Sequence, residues 1–333
     1  MSAAATALGE AARPLDAVVG MVRRNGWALA LLAFLALLLI FTKVIQPRYG
    51  VAGAQALAIS ALPLALAAVA QAICVIGGGI DLSIGSMMAL TSVIAAVQMK
   101  GQPEEFGVVV VLAVLVLGLI LGAINGAVIV FTRVPDIVVT LAMSFVWAGF
   151  ALLVLASPGG GSAKWLRDII LGPFLNEWIP KSAIVLIVTV GLVWIPLRRS
   201  RLGLSIYAVG SNRLAAFRSG VGVGRTKIAA YALTGLFAAL AGLGLTASTG
   251  IGTPVPGPYT LTSVAAIVLG GVSLAGGRGG VLGPIVAVLI LQLIRSDMTF
   301  LNVDTNLAIV AQGAILIGVV MFGSLLQLRR ARR

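Results

Sequence analysis

Long apolar runs separated by short polar or glycine-rich breaks make up most of this chain. A helix needs about 20 mostly apolar residues to cross a bilayer, and the runs predict ten membrane-spanning helices. Their expected positions are 27–45, 54–76, 82–99, 107–131, 136–156, 182–197, 227–248, 259–275, 281–295 and 306–327. The pattern therefore predicts an all-α polytopic membrane protein: a head at 1–26, one transmembrane domain at 27–328 and a basic tail at 329–333.

Composition supports the membrane class. Of the 333 residues, 60% are apolar and 10% are charged, and the mean hydropathy is +1.12. A soluble domain averages about 45–50% apolar and about 25% charged residues. These values exclude a soluble enzyme of this length.

The basic residues are distributed unevenly between the two sets of alternating loops. Sixteen of the 23 Lys and Arg residues fall on the side that includes the head, the 198–227 loop and the tail. Cytoplasmic loops of membrane proteins carry such an excess. We therefore expect both termini in the cytosol, and we interpret the net charge of +13 as a topology signal instead of a nucleic-acid surface.

Several kinds of catalytic chemistry lack their residues in this sequence. The chain has no His, and its one cysteine, Cys74, cannot form an internal disulfide or a CxxC site. No Lys follows a Gly, so the GxxxxGK[ST] phosphate loop is absent. The sequence predicts no catalytic residue, no metal site and no cofactor bound by this chain.

The first segment that interrupts the apolar rhythm is GGGIDLSIGS, residues 77–86. Its glycines are expected to end one helix, and Asp81 or Ser83 can cap the next by accepting free backbone N–H groups. Ionisable groups this close to a membrane are costly and often functional. A capping role and a direct role in a path or gate both remain open.

The second segment is the long loop 198–227, in which SNRLAAFRSG predicts one short helix. Ser211 or Asn212 is expected to cap its start and Gly220 to end it. Leu214, Ala216 and Phe217 give it a small apolar face. The helix either lies on lipid headgroups or docks a cytosolic protein.

The third segment is LGGVSLAGGRGGVLGP, residues 269–284, and its seven glycines allow a tight turn and close backbone packing. A nucleotide site is a poor interpretation, because no strand precedes the glycines.

Small residues recur at helical spacing in two of the spans. Gly118, Gly122 and Gly126 form one stripe, and Gly235, Ala239 and Gly242 extend the pattern in a later span. Such stripes let helices approach closely in lipid. Packing within one bundle and a dimer face are both consistent with them.

Polar residues inside the spans are few and uncharged. They fit either a path for a neutral polyol or hydrogen bonds between helices. Together with the first segment they give these candidates for the path or gate: Asp81, Ser83, Gln71, Asn125, Gln292, Asn306 and Gln312.

The three segments occur in the order and spacing typical of a known family. GGGIDLSIGSMMAL, YAVGSNRLAAFRSGV and LGGVSLAGGRGGVLGP resemble the corresponding motifs in permease subunits of bacterial monosaccharide (ribose-type) ABC importers. The resemblance covers the chain from about residue 50 to its end.

This resemblance implies a multi-pass protein of the inner membrane with the architecture of vitamin B12-type importers. It implies a second permease subunit, identical or not, an extracytoplasmic sugar-binding protein, and a cytosolic ATPase that holds the ATP and Mg²⁺. It also implies that the short helix is the coupling helix that contacts the ATPase. Its residues are Asn212, Arg213, Leu214, Ala215, Ala216, Phe217, Arg218, Ser219 and Gly220.

Three alternatives accompany this interpretation. Related permeases carry branched-chain amino acids or nucleosides. An ion-coupled secondary transporter would need buried acidic or His relays, for which only Asp81 and Asp136 are candidates. A membrane-embedded enzyme would need a nucleophile–base pair or metal ligands, and the sequence shows neither.

Overall fold

The computed structural model describes residues 14–304 together with residues 307, 310, 313, 314, 317, 318 and 321. Over this part of the chain the fold is helical, and its pairing of extended backbone is limited to two isolated β-bridges. The helices are α1 (Pro14–Ile45), α2 (Val51–Ile76), α3 (Ile84–Met99), α4 (Phe106–Thr132), α5 (Asp136–Val154), α6 (Lys164–Ile170), α7 (Lys181–Arg199), α8 (Arg201–Ser211), α9 (Arg213–Arg218), α10 (Val223–Thr249), α11 (Tyr259–Leu269) and α12 (Leu282–Phe300).

Among the described residues, seven helical segments are long and apolar enough to cross a membrane. They are Trp27–Ile45, Val51–Ile76, Phe106–Thr132, Asp136–Val154, Lys181–Arg199, Val223–Thr249 and Leu282–Phe300. Two more predicted spans, 82–99 and 259–275, correspond to the shorter apolar helices α3 and α11. Most of the tenth predicted span, 306–327, the first 13 residues and the tail 329–333 lie outside the described residues.

Helix α2 forms the centre of the bundle, and every residue from Ala61 to Ile76 in it is buried. Helix α10 packs along it in the opposite direction: the Thr234 hydroxyl lies 3.3 Å from the Ala70 carbonyl oxygen, and Gly244 lies beside Leu62. Large apolar side chains on α4, α5 and α7 point outward, including Phe131, Phe145, Leu153 and Ile187. This is the arrangement expected of a bundle whose periphery faces lipid.

Most residues of the predicted glycine stripes form the contact between α4 and α10, while Gly242 packs against Met88 and Ser92 of α3. A Cβ atom added at Gly122 would lie 2.0 Å from the Tyr231 carbonyl oxygen, and one added at Gly235 would lie 2.0 Å from the Gly118 carbonyl oxygen. No larger side chain fits at either position without moving a backbone. The stripes therefore serve packing within the bundle, the first of the two roles that the sequence left open.

Two interrupted helices run in opposite directions through the bundle. Helix α2 ends at Ile76, and a break at 77–83 leads into the short helix α3; α10 ends at Thr249, and a break at 250–258 leads into α11. The two short helices meet near their N-termini, where the Gly85 amide donates to the Thr260 hydroxyl oxygen at 3.0 Å. Both breaks thus bring non-helical backbone into the interior of the bundle.

Candidate functional site

The three segments that sequence analysis singled out meet at one point, at the end of the bundle that carries the 198–227 loop. The Gly277 amide donates to the Ile76 carbonyl oxygen at 2.9 Å, which joins the third segment to the end of α2. Gly210, at the end of α8, lies so close that an added Cβ would be 1.9 Å from the same oxygen. Gly78 and Gly276 adopt φ values of +77° and +84°, which side chains disfavour.

Helix α8, which sequence analysis did not predict, makes the second contact at this junction. Its Tyr207 hydroxyl donates to the Gly279 carbonyl oxygen at 2.8 Å. Partial burial raises the pKa of the Tyr207 phenol, an effect that the charge of Arg198 opposes. The hydroxyl therefore remains a proton donor, and α8 stays bonded to the third segment.

Helix α9 is the short helix predicted within the loop. Asn212 caps it by accepting a hydrogen bond from the Ala215 amide at 2.9 Å, and the turn after the helix contains Gly220 at φ +81°. Ala216 is buried against Val209 and Val223.

The outer face of α9 is open and apolar at its centre. The side chains of Leu214 and Phe217 are 58% and 68% exposed, and Arg213 and Arg218 on the same helix are exposed too. The helix and its cap are confirmed, while its role as a docking helix stays a prediction.

A buried chain of hydrogen bonds anchors the 77–83 break. The Asp81 Oδ1 atom accepts from the Ser83 amide at 2.8 Å and from the Ser83 hydroxyl at 2.6 Å. Asn125 donates to the Ser83 hydroxyl oxygen at 2.7 Å and accepts from Trp147 Nε1 at 3.2 Å. Asp81 therefore fixes the residue that precedes α3, and the Ser83 side chain does not cap that helix.

The other path candidates lie apart from this network. Gln71 is fully buried in α2, and neither side-chain amide atom has a hydrogen-bond partner in the part of the chain that the structure describes. Gln292, on α12, donates to the Ser60 carbonyl oxygen at 2.7 Å. Asn306 and Gln312 lie outside the described residues. The structure thus brings together Asp81, Ser83 and Asn125 but not Gln71 or Gln292.

A charged cluster beside the break was not predicted. Lys227 Nζ, near the start of α10, lies 2.6 Å from Asp136 Oδ1 at the start of α5, and the Tyr231 hydroxyl donates to Asp136 Oδ2 at 2.9 Å. The available signal was two opposite charges, each at a predicted span boundary. Among the described residues, His, Cys, Asp and Glu side chains form no group of three or more that suits a metal ion.

Comparison with known proteins identifies a family for this architecture. Residues 53–321 match the family model described as "Branched-chain amino acid transport system / permease component". That stretch includes all three converging segments and the 198–227 loop. No solved structure gives a significant match to the chain.

Curated relatives cover most of the chain. It is 33% identical over 261 residues to the ribose import permease protein RbsC of Escherichia coli K12, an alignment that covers 77% of this chain and 81% of the relative. It is 29% identical over 315 residues to the autoinducer 2 import system permease protein LsrD of Escherichia coli K12, covering 90% and 92%. This protein therefore belongs to the family of permease components of ABC importers. Together with its apolar helices, this membership makes it a multi-pass protein of the inner membrane.

Proposed function

We propose that this chain is the passive pathway of an ATP-driven importer of a monosaccharide or related polyol. A cytosolic ATPase drives it through α9, an extracytoplasmic binding protein delivers the substrate, and the path lies between two permease subunits. The named relatives import ribose and autoinducer 2, and the chain lacks a phosphate loop of its own. Selectivity is then expected to reside mainly in the binding protein.

The outer face of α9 is the observation that supports coupling to the ATPase. An apolar centre with arginines around it is the usual anatomy of a protein contact, in which central anchors outweigh rim charges. Ala216 holds the helix to the bundle, which leaves Leu214 and Phe217 free to contact a partner.

Alanine substitution at Phe217 tests this role against Arg218→Ala as the matched variant. Truncation of a central anchor typically costs about 2 kcal/mol or more of binding free energy, and a rim charge costs less. We expect Phe217→Ala to weaken capture of the ATPase, and to reduce uptake, more than Arg218→Ala does. Pull-down of the ATPase from membranes that contain equal amounts of each permease gives the measurement.

The lipid-surface interpretation predicts a different result for the same pair. Arginines near anionic lipid are worth about 1 kcal/mol each, so Arg218→Ala would then have the larger effect on membrane attachment of the helix. Both variants would bind the ATPase normally. Normal ATPase binding and uptake with Phe217→Ala would exclude the coupling role.

The conformation of the break at 250–258 supports the proposal that this segment forms one wall of the path. Irregular backbone at membrane depth is tolerated only where it is covered by protein or lines a water-filled cavity. Within the break, Gly252 packs beside Ala96 near the end of α3 and Val255 is 71% exposed. Just after the break, Thr260 lies beside Gly85 near the start of α3. We infer that this face borders the aqueous path and not lipid.

Cysteine accessibility separates the two environments. Val255→Cys is expected to react with a membrane-impermeant maleimide in the assembled importer. The control is Phe145→Cys in the middle of α5, where the native side chain is 72% exposed, and it is expected to stay unlabelled. The native Cys74 is buried and gives a silent background. Equal labelling of both positions would remove the assignment.

Orientation is tested in the same way. The arginine bias places 157–181 outside and 198–227 in the cytosol. Ser162→Cys is expected to label from outside intact cells and Ser211→Cys to remain unlabelled. The reverse pattern would invert the topology and contradict a cytosolic α9.

The substrate class is tested by uptake in the native organism. Deletion of the gene is expected to abolish uptake of one radiolabelled monosaccharide or polyol and to leave leucine uptake intact. Loss of leucine uptake alone would instead assign the branched-chain amino acid function in the family description.

A further inference from the structure

Both ends of α9 connect to the break at 77–83, through different kinds of contact. On the upstream side, α8 ends in Gly210, which packs directly against Gly78 and the Ile76 carbonyl oxygen. On the downstream side, the chain enters α10, and Lys227 lies in the second turn of that helix. The break at 77–83 is therefore connected to α9 along two routes.

The downstream route is a compact charged cluster. Lys227 Nζ lies 2.6 Å from Asp136 Oδ1, and the two side chains are only 10% and 16% exposed. The Tyr231 hydroxyl donates to Asp136 Oδ2 at 2.9 Å, and its oxygen lies 3.4 Å from the Ile80 carbonyl oxygen. The cluster thus joins α10, α5 and the break.

Gly79 places the break in direct contact with that cluster. A Cβ atom added there would fall 2.6 Å from the Tyr231 hydroxyl oxygen and 2.7 Å from Asp136 Oδ2. Two and four residues further on, Asp81 and Ser83 enter the buried network that ends at Asn125 and Trp147. The cluster and the network therefore meet along one short stretch of backbone.

We propose that Asp136, Lys227 and Tyr231 are positioning residues that transmit the displacement of α9 to the 77–83 break. This proposal rests on the proposed function, because it needs an ATPase that moves α9. A largely buried ion pair resists separation, since removal of either charge leaves the other without compensation. The start of α10 and the start of α5 then move as one unit against the glycine backbone, which has no side chain to obstruct it.

The competing explanation is that the cluster only stabilises the bundle. Both explanations predict some loss of uptake when the cluster is disturbed. They differ in the amount of substrate moved for each ATP hydrolysed, because a purely stabilising contact changes the number of active importers and leaves this ratio unchanged.

Gly79→Ala is the first test, measured in proteoliposomes that contain the complete importer with its ATPase and loaded binding protein. The added methyl group separates the break from Tyr231 and Asp136 without a change in charge. We expect uptake per ATP to fall about tenfold, within the usual range of coupling between sites. The control is Gly149→Ala in α5, where an added Cβ meets nothing within 4 Å, and it is expected to keep the wild-type ratio.

Two further variants keep the test decisive if Gly79→Ala lowers the amount of assembled importer. Tyr231→Phe removes one hydroxyl group and is expected to lower uptake per ATP in the same direction. The double variant Asp136→Leu with Lys227→Met removes both charges but retains volume, a change that buried pairs often tolerate in stability. It is expected to assemble normally and to hydrolyse ATP with reduced uptake.

The outcomes separate this inference from the function on which it rests. A wild-type ratio of uptake to ATP hydrolysis in Gly79→Ala, Tyr231→Phe and the double variant would overturn the proposed transmission from α9 to the break. The importer assignment would remain in place. Failure of the unmodified chain to bind any ATPase would overturn the proposed function itself.

Discussion

The two breaks in the bundle differ in how their backbone polar groups are satisfied. Each one interrupts an apolar helix and leaves backbone N–H and C=O groups that lipid cannot satisfy. The 77–83 break is largely buried, and protein side chains bond it: the Leu82 amide donates to Thr140 at 3.1 Å, and Asp81 binds Ser83. The 250–258 break is partly exposed: Gly252 and Pro254 are buried, whereas Val255 is 71% exposed.

Prolines explain why the 250–258 break needs fewer hydrogen-bond partners. Pro254, Pro256 and Pro258 carry no N–H group, so this break has fewer donors to satisfy. Its links to neighbours are the paired bonds between Gly252 and Gly159 at 2.7 and 3.1 Å and a long contact from the Thr253 amide to Ser92 at 3.4 Å. A buried, side-chain-bonded break suits mechanical coupling, whereas an exposed, donor-poor break suits a wall beside water.

The largest effect is expected from Asn125→Leu, which removes hydrogen bonds that anchor the break at 77–83. The Ser83 hydroxyl loses its donor, and Trp147 Nε1 loses its acceptor. The Trp147 N–H is then left without a partner, at a cost of about 1–3 kcal/mol, and the Ser83 hydroxyl, which still donates to Asp81, loses one further bond. We expect a total loss of about 3 kcal/mol in the free energy of unfolding.

Denaturant unfolding of the purified permease measures this loss. Ser144→Ala is the control, because its hydroxyl bonds only the Leu141 carbonyl oxygen of its own helix. A loss equal to that of the control would show that the network does not hold the break in place.

A smaller effect is expected from Thr260→Val, which cuts the bond between the two short helices. The substitution keeps the side-chain volume and leaves the Gly85 amide without its acceptor, at a cost of about 1–2 kcal/mol. Thr262→Val is the control, since its hydroxyl bonds the Pro258 carbonyl oxygen one turn earlier. Identical unfolding curves for the two variants would argue that the short helices are held by packing alone.

The smallest effect is expected from Pro256→Ala in the exposed break. Loss of a proline adds freedom mainly to the unfolded chain and costs about 0.4–1 kcal/mol. The same unfolding assay checks this value. A loss as large as that of Asn125→Leu would show that the two breaks are equally constrained.

The sequence by itself determined the class of the protein and much of its local structure. Apolar runs predicted the helices because a membrane span needs a continuous stretch of about 20 such residues. Glycine spacing predicted a close approach between helices, and Ser211 or Asn212 with Gly220 predicted the limits of α9, because capping depends on nearby residues. Gly77 ended α2 as expected, for the same local reason.

Only the tertiary structure decided how these parts meet. The predicted span 259–275 runs six residues past the end of α11 at Leu269, because Val272 and Leu274 continue its apolar run into the third segment. The ion pair between Asp136 and Lys227 joins residues 91 positions apart. Likewise, the convergence of Gly78, Gly210 and Gly276 depends on which helices pack together. Such contacts are set by the arrangement of the whole bundle, and no local pattern in the chain encodes them.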